Sequence, residues 1–460
     1  MVLSKNTLQN LFLFILTLCV SFNASNTNLL AQVTSINFSI LFLLCLKNNE
    51  ILGAIKINYQ NNKKFFFFFL IYIIYLIIQM VPLPLSWIEV IAPDNYKIYS
   101  SIKIDKELWS LSIDPSNSYF KILNWINFFI IFLIFPILFN RSKYLMKFLF
   151  FLCFLGFLHA VFATYWMLIG NPSNFLIEKI YYINASTGLY VNRSIFATFL
   201  LLSAFSGLYY IVVFFHKNQI DNFTFLDQIN SKIIYIRAFI IFLSIGILTT
   251  WSRAVNFSYI LILISFLFYS KIHFKKYINP LSSIIIIIFI FDIIILGALF
   301  GNAKLIARYA EVSNIDGYLL NEAKRLDLHK FGFNQFKDFW LFGYGSGGFG
   351  QIYKLFYIVP ENSKVIAQHA HNDPIELIGE VGTIGSLIFI SFFSFYYRRL
   401  IKKINEKKRL ARLILFSLLI IILLIQSLVD FSLHITGISI LLATILSLGF
   451  IESQKKIKSN

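Results

Sequence analysis

The sequence predicts an all-α, polytopic membrane protein of about 12 transmembrane helices, with a large extracytoplasmic loop between helices 9 and 10. Three observations predict it. Of 460 residues, 58% are hydrophobic and 13% charged, where soluble domains carry about 25% charged residues; mean hydropathy is +0.73. Several runs reach or approach the roughly 20 apolar residues that cross a bilayer. The run from Ile284 to Leu299, broken only by Asp292, does not alternate as a β-barrel strand does.

Spans are expected at 8–22, 30–46, 65–81, 122–139, 146–169, 194–215, 233–249, 254–269, 281–300, 384–397, 413–429 and 433–451. The first is read as a retained span, because no good small-residue cleavage site follows it. Proline at 82 and 84 stops the third span. Trp87 suits the membrane interface, and a shallow surface helix is expected up to Ile91. The chain divides into helices 1 to 9 (1–300), a periplasmic loop with a histidine motif (301–383) and helices 10 to 12 (384–460), forming one integrated membrane domain.

Basic residues set the orientation. Lys47 to Lys64, Arg141 to Lys147, His216 to Arg237, Lys271 to Lys276 and Lys455 to Lys458 bound clusters that twelve spans place on one side. So does 398–412, with eight basic residues against one Glu. Both termini are then cytoplasmic. The loop at 301–383 carries eight Lys or Arg against nine Asp or Glu, nearly neutral as an exported loop can be. The net charge of +18 therefore marks a cytoplasmic rim facing anionic lipid. No stripe, finger or aromatic platform supports nucleic-acid binding. Cys19, Cys45 and Cys153 fall in or beside apolar runs and read as small core hydrophobes.

Polar residues converge on the outer face from distant segments. Asn192 and Arg193 precede the sixth span, Ser252 and Arg253 the eighth. Arg325 lies in the long loop, His369, His371, Asn372 and Glu376 near its end, and Asp430 between the last two spans. Arginines at helix starts are costly in lipid unless they face water or an anion, and guanidinium suits a diphosphate. A neutral histidine can accept a proton from a hydroxyl, with Asp373, Glu376 or Glu380 to orient it. His369 and His371 are too close for the helical metal spacing, and no third ligand is evident, so no metal is expected. The glycine-dense segment Phe342 to Gly350 lacks the Lys and Ser/Thr of a P-loop. Its glycines permit positive φ or close backbone approach. Gly382 and Gly385 are expected to share one helical face.

His371-Asn372, nine residues, then Gly382-Thr383-Ile384-Gly385 resembles the ligase pattern of the O-antigen ligase and polymerase superfamily. Gln79 to Pro84 with Trp87, Leu111 to Pro115, Val191-Asn192-Arg193, Ser252-Arg253-Ala254, Leu341 to Phe349 and Ser427 to Phe431 also resemble family segments, in family order. The sequence departs at Trp251, where many relatives have Gly, at Val255, and at Ser194-Ile195, where Asn-His is usual. The resemblance implies a bacterial inner-membrane glycosyltransferase with a periplasmic active site. It would take a glycan from an undecaprenyl-diphosphate carrier, with no cofactor, to a hydroxyl of lipid A-core. A polymerase joining two lipid-linked glycans is the alternative. His371 then corresponds to the catalytic histidine and Arg193, Arg253 and Arg325 to the groups holding the diphosphate. Asn192, Ser252, His369, Asn372, Glu376 and Asp430 would line the substrate site. A transporter is the competing class. Transporters place polar groups mid-membrane on broken helices or in paired repeats, whereas these cluster at one surface and no repeat relates the halves.

Overall fold

A computed structural model gives the fold; it describes residues 2–21, 27–101, 106–172, 182–218, 233–273, 285–288, 290, 315–356, 367–401 and 407–454. The described elements are almost entirely helical, with one two-residue antiparallel ribbon pairing Leu83–Pro84 (β1) with Leu108–Trp109 (β2). The first half of the chain gives α1 (Lys5–Ser21), α2 (Thr27–Leu46), α3 (Asn49–Asn61), α4 (Lys63–Met80), α5 (Leu85–Ile91), α6 (Pro93–Ser101), α7 (Pro115–Leu138), α8 (Ser142–Leu168) and α9 (Arg193–Asn218). Then come α10 (Ile233–Thr249), α11 (Arg253–His273), α12 (Ile315–Asp338), α13 (Phe349–Phe356), α14 (Asp373–Ile401), α15 (Lys407–Ser427), a 3-10 turn (Ser432–His434) and α16 (Thr436–Gln454).

Seven of the described helices are long and apolar enough to cross a membrane, and three shorter ones, 233–249, 414–427 and 436–451, are apolar. The expected ninth span, 281–300, lies almost wholly outside the described residues. The count of twelve thus still rests on the sequence. As expected, α4 ends at Met80, before the prolines, and α5 runs to Ile91. Four described helices, α3, α6, α12 and α13, are additional to those expected, two of them within the long loop.

α9 is the most enclosed of the spanning helices, 94% buried, and packs on α8 and α10. Small residues let these three helices approach: Gly156 on α8 faces Ser203, Gly207 on α9 faces Cys153, and Gly246 on α10 faces Ala160. α4 packs on α14 and α7, and α16 on α7. Phenylalanine fills that second contact. Phe69 and Phe392 stack at 4.9 Å, and Phe65 meets Phe132, Tyr396 and Phe450 at 5.1, 6.1 and 5.2 Å. Pro136 sits inside α7 and cannot donate to the carbonyl of Phe132, four residues back. Buried Asn58 supplies the missing donor, its Nδ2 bonding Phe132 O and Leu133 O at 3.0 Å each.

The structure corrects one reading of α14. Gly382 has φ 61 and ψ −170, so it interrupts the helix and does not share a regular face with Gly385. The upper piece starts at Asp373, eleven residues before the expected start of the span at 384. Asn372 caps it, its Oδ1 accepting from Ile375 N at 3.0 Å. A Cβ at Gly382 would lie 2.5 Å from Gly343 N and from Leu341 O. The position's φ/ψ is also in a region open essentially to glycine alone. Gly382→Ala is therefore expected to lower stability by at least about 2 kcal/mol, read as a fall in thermal unfolding temperature of the detergent-purified protein.

Candidate active site

The interruption of α14 leaves backbone groups that the helix cannot satisfy, and the glycine-dense segment satisfies them. Tyr344 N donates to Gly379 O at 3.1 Å and Gly345 N to Glu380 O at 3.0 Å. Thr383 N donates to Trp340 O at 2.8 Å and Ile384 N to Leu341 O at 3.3 Å. From α4, Tyr75 Oη donates to Val381 O and Phe342 O at 2.7 and 2.8 Å, and Gln79 Nε2 to Phe342 O and Glu380 O at 2.7 and 3.1 Å. Gly343 adopts φ 77 there, and a Cβ on it would strike the Glu380 carbonyl.

This joint fixes the histidine motif just above it. Glu376, one turn into α14 and 1% exposed, accepts from Ala370 N at 2.9 Å and from His369 Nδ1 at 2.8 Å. Asn372 Nδ2 donates to Leu428 O at 2.9 Å, tying the motif to the turn before α16. His371 takes φ 54, a left-handed conformation uncommon outside glycine. His329 Nε2 meets its carbonyl at 3.3 Å.

The turn supplies the facing wall. Asp430, 4% exposed, accepts from Phe431 N at 2.9 Å and from Ser432 Oγ at 2.8 Å. Those bonds aim Phe431 at both histidines: its ring stacks on His369 at 4.5 Å and meets His371 edge-on at 4.7 Å. His434 reaches Asp373 with Nε2 and Glu376 with Nδ1, both at 3.3 Å. Lys121 Nζ lies 3.2 Å from His434 Nδ1 and from His434 O.

The arginines arrive in two groups. Half-buried Arg325, on α12, acts electrostatically on His371 and on Asp430. Arg193 and Arg253 open α9 and α11, whose first turns meet through Ser194 Oγ and Ser252 Oγ at 3.0 Å. Asn192 Oδ1 accepts from Ser194 N at 2.8 Å. Arg193 lies 5.1 Å from the Tyr182 ring centre. α9 is joined to the Asp430 turn by Thr198 Oγ1, which donates to Ser432 Oγ at 3.2 Å and accepts from Gln426 Nε2 at 2.7 Å. The structure thus brings His369, His371, Asn372, Glu376, Asp430 and Arg325 together. Arg193, Arg253, Asn192 and Ser252 form an adjoining group, linked through α9.

Burial pushes His371 down to about 4, and Arg325 and His369 push the same way. Burial likewise pushes His434 down to about 3, opposed by Glu376. Burial raises Asp430, against the bonds from Ser432 and Phe431 and the charge of Arg325. Of the carboxylates expected to orient His371, Glu376 holds His369 instead, and Asp373 meets His434. Among the described residues no carboxylate is bonded to the His371 ring.

Lys121 and His434 were not singled out from sequence. Lys121 is a lone cation at the start of an apolar run, and His434 follows the family-like segment by three residues. His369, Glu376 and His434 place one ligand atom each within 4.8 Å of one another, a spacing able to hold a metal. The Lys121 ammonium already faces one of those atoms, His434 Nδ1.

A family model described as O-antigen ligase matches residues 238–390, taking in Arg253, Arg325 and the histidine motif. The match covers about a third of the chain and supports its resemblance to the O-antigen ligase superfamily. No curated protein matches it. The match supports a membrane glycosyltransferase of the O-antigen ligase and polymerase group. Trp251, just before Ser252 and Arg253, takes φ 55.

Between pH 6.5 and about 4 the unfolded chain takes up a proton that folded His371 refuses, so stability falls as pH falls through that window. His434 extends the fall toward about 3. His371→Gln has no such proton to refuse. Its thermal unfolding temperature in detergent is expected to drop less than the wild type's between pH 6.5 and 4.

Proposed function

We propose that the protein transfers a glycan from undecaprenyl diphosphate to an acceptor hydroxyl, on lipid A-core, at the periplasmic face of the bacterial inner membrane. The observation that carries this reading is the place of His371, within electrostatic reach of Arg325, at the start of a membrane-length helix and inside the segment matched by the O-antigen ligase model. Hydroxyl attack on the anomeric carbon breaks the bond to the diphosphate. The diphosphate is already an activated leaving group, and it departs with the electron pair.

Arginine supplies the charge this step needs. Guanidinium stays protonated and can grip phosphate oxygens two at a time, so Arg325 gathers the departing charge as it develops. Arg193 and Arg253, on adjoining helix starts, hold the carrier's diphosphate. His371, which burial keeps neutral down to about pH 4, guides a proton at the reacting centre. Its strained backbone supports this assignment, since such strain collects at functional sites. Direct displacement inverts the anomeric centre. The attachment of glycan to lipid A-core, and not the joining of two lipid-linked units, follows the histidine-to-glycine spacing His371-Asn372 to Gly382.

Purified protein in liposomes, given lipid-linked glycan and lipid A-core, is expected to form the glycosylated product. Arg325→Ala and His371→Ala are each expected to lower kcat by about 100-fold or more. Undiminished turnover in both variants would sink the assignment of these residues. Products longer than the donor glycan but still lipid-linked would make the protein a polymerase.

A further inference from the structure

Two histidines flank one residue in the motif, and their surroundings differ. His369 gives its Nδ1–H to Glu376 Oε1 at 2.8 Å, and its ring plane is fixed by stacking on Phe431, 14° from parallel. A carboxylate on Nδ1 sets the tautomer in which Nε2 carries the free lone pair, the arrangement of an oriented general base. His371 has no bonded carboxylate among the described residues, and its electrostatic neighbours include cationic Arg325. A cation alongside disfavours taking up a proton.

A cavity of about 290 Å³ lies against the first histidine and not the second. Asn28, Lys121, Asn124 and Gln368 line it, with His369 and Glu376. Its volume is at the small end of ligand sites, about 300–1,000 Å³, which suits a sugar ring rather than a lipid tail. Side-chain amides both donate and accept, as sugar hydroxyls do. Asn124 is 7% exposed; its Nδ2 donates to Thr436 Oγ1 at 3.0 Å, while its Oδ1 is buried with no partner among the described residues. A buried acceptor of that kind asks for a donor from a ligand.

We propose that the His369–Glu376 pair takes the proton of the acceptor hydroxyl, and that the adjoining cavity holds the acceptor sugar ring. This rests on the glycan-transfer reading above. The hydroxyl oxygen bonds to the anomeric carbon, its proton moves to His369 Nε2, and the carbon–oxygen bond to the diphosphate breaks, its electron pair leaving with the diphosphate. Glu376 is a positioning residue, holding the imidazole in the accepting tautomer. His371 then serves the diphosphate side, next to Arg325.

The test uses full-length protein in liposomes with lipid-linked glycan and lipid A-core. Absence of product from the wild type defeats the glycan-transfer reading itself; the variants decide the present inference once the wild type turns over. His369→Ala is expected to lose about 100-fold or more in kcat and to regain at least about tenfold of it on addition of imidazole, which fits the space vacated. His371→Ala is expected to lose activity without imidazole rescue. Any other pattern, rescue of neither variant included, overturns the assignment. His369→Gln can still donate to Glu376 but cannot take the proton. It is expected to show the same loss in kcat with both KM values kept, and full turnover overturns the proposal even if the alanine variant does not fold. Asn124→Ala is expected to raise KM for the acceptor about tenfold and leave KM for the donor unchanged. A shift in donor KM instead, or in neither, removes the sugar from the cavity.

Discussion

Everything above the interruption in α14 depends on the backbone hydrogen bonds that close it. A helix that stops and restarts leaves amides and carbonyls bare, and in a bilayer each unsatisfied group costs several kcal/mol. Here residues 340–345 and the side chains of Tyr75 and Gln79 meet those groups. The same segment reaches further: Ser112 N donates to Gln79 O and Ile113 N to Tyr344 O. The joint therefore registers α4, the 112–113 segment and α14 against one another. The histidine motif inherits its position from that registration.

A dense set of acidic groups sits on this platform. Asp373, Glu376, Glu380 and Asp430 are each at least nine-tenths buried. Buried acidic groups are tolerated when they are paired or hydrogen-bonded, and the fold supplies partners from elsewhere in the chain: His369 for Glu376, Ser346 Oγ for Glu380 at 3.4 Å and Ser432 for Asp430, with His434 lying 3.3 Å from both Glu376 and Asp373. The partners come from three separate stretches of sequence, so the cluster exists only in the assembled protein. That arrangement keeps proton-accepting imidazole and anion-binding guanidinium side by side, where each alone would be solvated and ordinary.

Apolar run lengths made the helical membrane architecture legible, and the motif from His371 to Gly385 pointed to the family whose model matches residues 238–390. The upper piece of α14 was not, because Asp373, Glu376, Gly379 and Glu380 read as loop when hydropathy is the guide. Their burial is a tertiary fact: Asp373 and Glu376 lie against His434, Gly379 and Glu380 against Tyr344 and Ser346. Lys121 and His434 were hidden for the same reason: nothing local marks a lone lysine at a helix start, or a histidine beyond a recognised segment, as neighbours 3.2 Å apart. The glycine-dense stretch was correctly read as a place of positive φ, seen at Gly343, Gly345 and Gly347. Its work as a backbone partner for a broken helix required seeing what lay beside it.

The contact between Asn58 and the proline-bearing turn of α7 implies an order in which this sequence can change. While Pro136 is present, loss of Asn58 strands a carbonyl in the protein interior. Once a residue with its own amide hydrogen replaces the proline, the helix bonds itself and the asparagine becomes dispensable. Descendants of this chain can therefore lose the pair in one sequence of steps and not the other, a ratchet set by one missing hydrogen atom.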